Sequence, residues 1–342
     1  MSKPRTYRTR FLILSLLVLV FFVLNVSLGS VKIPFSKVIM AIFGIADADT
    51  QSYIIQSYRL PKAITAILVG AGLGVSGMLM QTLFRNPLAG PFVLGLSSGA
   101  SLGVAMLIMG SGLFGGFLVT ALLSYWGITV AAALGCFLVL LLVVSVANKV
   151  QDTMAILIIG LMFGSLTAAV VSVMAYFSSA EQLQKYVFWS YGSLGDLSWN
   201  ELLLFTFVFL IGLLLSIISI KPLNSLLLGE NYARSLGLKI KQSRFTIIIA
   251  TSLLAGSITA FAGPIAFVGL AVPHLTRQIF NTTNHKILLP AIALYGSLLM
   301  LICDVIAQIP FSQYTLPINA VTSLVGAPVV IWLLVKKRKM MF

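Results

Sequence analysis

Long apolar runs, broken by short polar, Gly- or Pro-containing segments, dominate the chain from Phe11 to Val335. Continuous runs near twenty residues predict helices that cross a bilayer, whereas membrane strands show segments of about ten residues with alternating polarity. The pattern predicts about ten spans: roughly 11–29, 61–83, 91–109, 116–147, 153–177, 200–220, 245–262, 264–279, 287–309 and 318–335. The third and eighth are short and rich in Gly or Pro. This predicts tilted, broken or partly re-entrant backbone, which membranes tolerate only where it is buried in protein or lines a cavity. The first run follows SKPRTYRTR and is long for a signal peptide, so an uncleaved first helix is expected. The expected fold class is all-α, a polytopic membrane helix bundle forming one domain over 1–342. Residues 1–10 are expected as a cytoplasmic N-terminus and 221–244 as a cytoplasmic loop.

Composition agrees with this pattern. The chain is 59% hydrophobic and 9% charged, against about 25% charged residues in soluble domains. Its net charge of +14 raises the question of nucleic acid, but the cations lie almost wholly in loops and ends. With the N-terminus inside, 17 of the 22 Lys and Arg fall on the cytoplasmic side. The positive-inside rule explains that bias, places both termini in the cytoplasm and requires an even number of spans. Cys136 and Cys303 both lie in apolar spans and read as small packing residues, not as a disulfide or a metal site. The long polar connections 31–58 and 178–199 carry aromatics that read as interfacial anchors.

Chemistry-bearing residues are few. A phosphate-cradling loop needs GxxxxGK followed by Ser or Thr, and the dipeptide Gly-Lys does not occur. No HExxH or His/Cys cluster appears, and His274 and His285 sit near one loop. No metal and no cofactor is expected. Apart from Glu201 at the very edge of the sixth, Asp304 is the one acid inside a predicted span. It is a functional candidate by default, or a structural acid that is paired near its helix end. The largest cytoplasmic loop, KPLNSLLLGENYARSLGLKIKQSR, predicts a short helix bracketed by Gly229 and Gly237, with Glu230 and Arg234 paired at i, i+4. An amphipathic insert between two spans needs a partner surface. Ala89-Gly-Pro-Phe-Val-Leu-Gly-Leu96 is echoed weakly by Ala262-Gly-Pro-Ile-Ala-Phe-Val-Gly-Leu270, as an inverted repeat or by chance.

One stretch organises the rest. Arg59-Leu60-Pro61, Gln81, Arg85-Asn86-Pro87-Leu88-Ala89, Pro91, Gly95 and Gly99-Ala100 resemble the FecCD-type permeases, the membrane subunits of ABC importers for iron–siderophore complexes, haem and cobalamin. Gly229-Glu230, Ala233-Arg234 and Leu236-Gly237 resemble the family's coupling segment. Gly263-Pro264 through Phe267, Gly269, Pro273-His274 and Arg277 resemble a later family motif, as does Thr322 through Gly326-Ala327-Pro328.

The resemblance implies the type II ABC importer permease fold and a permease homodimer in the bacterial inner membrane. It implies two cytoplasmic ATP-binding subunits that hydrolyse ATP and one extracytoplasmic substrate-binding protein that docks above. It implies ATPase coupling through Gly229, Glu230, Ala233, Arg234, Leu236 and Gly237, docking through Arg59 and Lys62, and gates at Asn86, Leu88, Asp152 and Thr153. Gln81, Arg85, Pro87, Pro91, Gly95, Gly263 and Pro264 are its structural motif residues. The chain departs from the family at Gln308, where Arg is common, and at Thr315 to Asn319, where Glu-Leu-Pro-x-Gly is common; both weaken the docking assignment. A stand-alone ion-coupled secondary transporter is the alternative, against which the scarcity of buried polar ligands counts. No acid/base or metal constellation supports a membrane enzyme. The residues do not identify the cargo.

Overall fold

A computed structural model describes residues 4–45, 49–110, 123–149, 153–310, 312 and 314–336. The helices, in order, are α1 (Pro4–Ser27), α2 (Phe35–Ile42), α3 (Thr50–Leu83, with a π-helical turn at Ile55–Arg59), α4 (Leu96–Met109), α5 (Tyr125–Lys149), α6 (Thr153–Tyr176) and α7 (Ala180–Ser190). There follow α8 (Trp199–Ile218), α9 (Ile220–Leu227), α10 (Glu230–Ser235), α11 (Ile240–Ala262), α12 (Val268–Phe280), α13 (His285–Ala307) and α14 (Ile318–Lys336). No strand occurs among the described residues.

Seven of these, α1, α3, α5, α6, α8, α11 and α13, contain stretches long and apolar enough to cross a membrane. With the shorter α4, α12 and α14, every expected span contains a described helix. The differences lie at the ends. Helix α1 starts at Pro4 instead of 11, and Tyr7 and Phe11 lay their rings on Phe280, with centroids 6.2 and 4.9 Å apart. The third span begins at Leu96 because Pro91–Leu94 forms a separate 3₁₀ turn closed by Gly95 in the left-handed region, at φ 77°. The eighth begins at Val268 after Phe267, at φ 65°. Part of the fourth expected span, 116–122, lies outside the described residues.

The chain packs as two compact units interleaved in sequence. The first comprises Met1–Val75, Ser193–Phe207 and Ile265–Phe342. Within it, α3 meets α13 backbone to backbone: a Cβ on Gly70 would lie 2.1 Å from the Gly296 carbonyl oxygen, and one on Gly296 2.2 Å from that of Gly70. Small residues permit such approach in lipid, where packing replaces the hydrophobic effect as the driving force. Ser297 Oγ adds a hydrogen bond to the Ile67 carbonyl at 3.0 Å. Val38 and Ala41 of α2 pack with Val26, Ile55 and Ala63, so α2 lies with one face on α1 and α3. Asp49 caps α3 by accepting from Ser52 N at 2.8 Å and pairs with Lys37, which holds its carboxyl well below the usual carboxylate range.

The second unit comprises Ser76–Gly192 and Val208–Pro264. Here α4 and α5 approach through Gly99, Gly103, Ala131 and Gly135; a Cβ on Gly103 would come 2.2 Å from the Ala131 carbonyl oxygen. Gly160 of α6 packs on the Pro91–Leu94 turn, where its Cβ would meet the Val93 carbonyl oxygen at 2.3 Å.

Candidate functional site

The polar break after α3 is a helix cap. Asn86 N donates to the Gln81 carbonyl at 3.2 Å and Arg85 N to that of Thr82 at 3.3 Å. This is the paired bonding of a Schellman motif, with its left-handed position held by Arg85 at φ 48°. Glycine is the usual occupant, so an arginine there invites a reason, and the side chain supplies one. Arg85 Nη2 donates to the Leu226 carbonyl at the end of α9, 2.9 Å away. Beyond the cap, Pro87 pre-sets a turn in which Ala89 N donates to the Asn86 carbonyl at 3.0 Å, while Asn86 Oδ1 accepts from Leu88 N at 2.9 Å. The Leu88 side chain is left exposed.

The expected coupling segment is a second capped helix. Gly229 adopts φ 111° and ψ 148°, a conformation only glycine takes readily, and its carbonyl accepts from Ala233 N at 2.8 Å. Helix α10 ends in the same paired bonding, with Gly237 N to the Arg234 carbonyl, Leu238 N to that of Ala233 and Gly237 in the left-handed region. Ala233 is fully buried beneath the helix, while Leu228, Tyr232 and Leu236 are each more than half exposed. The expected Glu230–Arg234 pair is corrected. Glu230 Oε1 instead accepts from Arg244 Nη2 of α11 at 2.6 Å, since Arg244 is held mostly buried beside it. That bond ties α10 to the spanning helix α11. Arg85, Leu226 and Glu230 thus join the post-α3 turn, the loop helices and α11 within one unit.

In the other unit, polar groups converge where spans end. Asp304 of α13 is buried: its Oδ1 lies 3.1 Å from Lys62 Nζ, and its Oδ2 accepts from Asn25 Nδ2 and Gln308 Nε2, both at 2.8 Å. These contacts carry the structural reading of Asp304 and tie α1, α3 and α13 together. Arg59 is also buried, and its guanidinium donates to the carbonyls of Val26 (3.1 Å), Ser27 (2.7 Å) and Val31 (2.5 Å), closing off the end of α1. Gly29 makes room, since a Cβ there would lie 2.8 Å from Arg59 Nη2. The position of the two cations at the ends of spans therefore has an internal cause. Arg59 serves its own fold, and Lys62 keeps only part of its ammonium toward the surface.

The remaining expected residues fall as follows. Gln81 is buried, and Pro91 opens the 3₁₀ turn before Gly95. Gly263 ends α11 at φ 75°, where its Cβ would come 2.9 Å from Gly192 Cα. Pro264 leads to Ala266, whose N–H donates to Asn319 Oδ1 at 3.0 Å, so a residue noted as a family departure has a structural task. Asp152 lies outside the described residues, and of Thr153 only the backbone, the first residue of α6, is described. Sequence reasoning missed Asn25 and Arg244. Asn25 is signalled by its polarity near the end of an apolar run, whereas Arg244 looks in the sequence like any loop cation.

The FecCD transport family model matches residues 16–336. The vitamin B12 import system permease protein BtuC of Salmonella typhi is 37% identical over 283 residues, covering 82% of this chain and 83% of the relative. The same protein of Salmonella enteritidis PT4 matches equally. A solved structure described as an inward-facing conformation of a metal-chelate type ABC transporter superposes with a TM-score of 0.82. It is 32% identical and covers 97% of this chain and 99% of its own.

Proposed function

The chain belongs to the FecCD transport family and is a multi-pass inner-membrane permease of an ABC importer, and from that premise we propose which surfaces it uses and what it carries. The cargo is a metal chelate of the ferric-siderophore, haem or cobalamin class. ATP is hydrolysed in a separate subunit, two of which serve a permease homodimer in the lipid bilayer. Both termini and the 221–244 loop face the cytoplasm, in keeping with the distribution of Lys and Arg.

Coupling runs through α10. The supporting observation is its construction: a short helix closed at both ends by glycines, seated on buried Ala233, tied to α11 by the Glu230–Arg244 pair, and presenting Leu228, Tyr232 and Leu236 outward. Exposed apolar side chains on a rigid, charge-pinned loop are what a groove in an ATPase subunit would receive. A push on α10 passes to the Asn86–Leu88 turn through Arg85 and the Leu226 carbonyl, which makes that turn the natural gate element; Asp152 and Thr153 follow α5 as its proposed counterpart. The binding protein docks at the ends of the spans away from that loop, where Lys62 is a cation within reach and Arg59 supports the surface from inside.

The decisive experiment is reconstitution with the co-expressed ATPase. Ala233→Trp lifts α10 off its seat and should abolish ATP-driven uptake while the permease still inserts. Unchanged uptake and unchanged ATPase co-purification would remove the coupling assignment.

A further inference from the structure

Beside the Asp304 cluster lies a cavity of about 350 Å³, lined among others by Asn25, Ser30, Tyr58, Arg59, Lys62 and Thr315. Its size falls within the range of small-ligand sites, about 300–1,000 Å³. Two features of its wall point to a ligand. Asn25 is 1% exposed, and while its Nδ2 is committed to Asp304, its Oδ1 has no hydrogen-bond partner. A buried acceptor left unpaired costs the full desolvation penalty unless something donates to it. Among the described residues the lining also contains two cations and no carboxylate. Asp304, outside the lining, balances Lys62 alone, while Arg59 is met by carbonyls. The pocket therefore favours an anion that also carries an O–H or N–H donor.

Its depth is fixed by the spans around it. The apolar stretch of α1 ends at Ser27 and that of α13 at Ala307, immediately beside the lining residues Leu28 and Gln308. The lining segment 28–31 leads into α2, which buries Val38 and Ala41 but exposes Phe35 and Met40, the arrangement of a helix lying in a membrane interface. A pocket at headgroup depth, positive, with an acceptor awaiting a donor, matches a glycerophosphate group.

We propose that this pocket binds the glycerophosphate headgroup of an anionic phospholipid, its phosphate on Lys62 and the neighbouring hydroxyls and its glycerol hydroxyl donating to Asn25 Oδ1. The chemistry ranks the common headgroups. Phosphatidylglycerol brings negative charge and a neutral donor. Phosphatidylethanolamine brings a donor but also a cation into an already positive pocket. Phosphatidylcholine brings no donor at all. The assignment turns on Asn25, which the docking and coupling readings do not use.

The test is native mass spectrometry of the full-length protein with equimolar lipids of matched acyl chains, and with soluble sn-glycerol 3-phosphate in a separate arm. Phosphatidylglycerol should be retained about tenfold over phosphatidylcholine, with phosphatidylethanolamine between, the difference of roughly one hydrogen bond. Asn25→Leu should erase most of that preference. Should Asn25→Leu fail to fold, the headgroup order in the wild-type protein, together with Tyr58→Phe and Thr315→Val as milder variants, still decides. Equal retention of phosphatidylglycerol and phosphatidylcholine would overturn the proposal, and is the result expected if the pocket instead seats a carboxylate from a protein partner. Glycerol 3-phosphate binding as tightly as the lipid would show that the source is a soluble phosphate and overturn the lipid assignment.

Discussion

Arg85 Nη2 donates to the main-chain carbonyl of Leu226 across 2.9 Å and 141 residues of chain. The donor belongs to the turn that ends α3 and the acceptor to the last turn of α9, shortly before the Gly229–Gly237 segment. A guanidinium-to-carbonyl bond contributes about 1.5–3 kcal/mol, enough to make turn and loop move together. Arg85 also occupies a left-handed position that a non-glycine residue adopts at a cost, which that bond offsets.

Arg85→Ala should therefore separate two properties. The ATPase should still co-purify, because α10 keeps its own caps and its bond to Arg244. Uptake per ATP hydrolysed should fall by about tenfold, the equivalent of roughly 1.4 kcal/mol lost from the coupled step. Arg85→Gly, which relieves the backbone but also lacks the donor, should behave like Arg85→Ala; recovery of uptake in Arg85→Gly would show that only the cap geometry matters.

Glu230 and Arg244 offer a charge-swap test. Glu230→Lys places two cations side by side where Arg244 is mostly buried, and should loosen α10 and uncouple transport. The double variant Glu230→Arg with Arg244→Glu should restore a substantial part of uptake, since the pair is rebuilt with reversed sense. Arg234→Ala should leave this interaction unchanged, because Arg234 is not the partner. Rescue of Glu230→Lys by Arg234→Glu, measured in the same uptake assay, would contradict the observed pairing.

Gly70 and Gly296 make a sharper prediction about stability. A methyl group on either lands about 2 Å from a backbone carbonyl oxygen, so the helices must separate. Gly70→Ala and Gly296→Ala should each destabilise the protein by about 1–3 kcal/mol or more, seen as a lower midpoint of thermal unfolding in detergent. Gly110→Ala, with no atom of the described residues within 4 Å of the added Cβ, is the control and should unfold like the parent.

Much of this architecture was legible in the chain because membranes make sequence patterns blunt. Apolar length predicts the spans. The brackets of α10 were readable too, since glycine is what a left-handed cap demands. The ends of α1, α4 and α12 were less legible. Aromatic stacking on Phe280 extends one helix, and left-handed Gly95 and Phe267 delay the other two, none of which periodicity encodes. Polar partnerships were the least legible. Lys62 and Asp304 stand out singly, one as a cation against the charge bias and one as an acid in a span. Only the fold brings them within 3.1 Å. Glu230 had a cation four residues along, and the local rule favoured it. Tertiary packing supplied Arg244 from the next helix instead.

The last prediction concerns the two cations at the ends of the spans. They look alike in sequence and differ in the structure, so their variants should differ as well. Arg59→Leu removes the donor from three carbonyls at once, and leaving buried acceptors unpaired costs about 1–3 kcal/mol for each group. It should therefore lower stability and expression before any question of partners arises. Lys62→Gln alone strands Asp304 as a buried carboxylate with no counter-charge, and breaking a buried pair from one side costs about 3–5 kcal/mol. Lys62→Gln together with Asp304→Asn removes both charges, leaves amides able to hydrogen-bond, and should recover most of the stability. That double variant is the clean probe of docking: folded, with the pair neutral, and lacking the member of the two cations that reaches the surface. If the binding protein is steered by Lys62, its association rate should fall and become less sensitive to salt, since a rim charge acts mainly on the on-rate. Stopped-flow association in proteoliposomes at two ionic strengths measures both. An unchanged rate and salt slope in the folded double variant would assign Lys62 wholly to the Asp304 cluster.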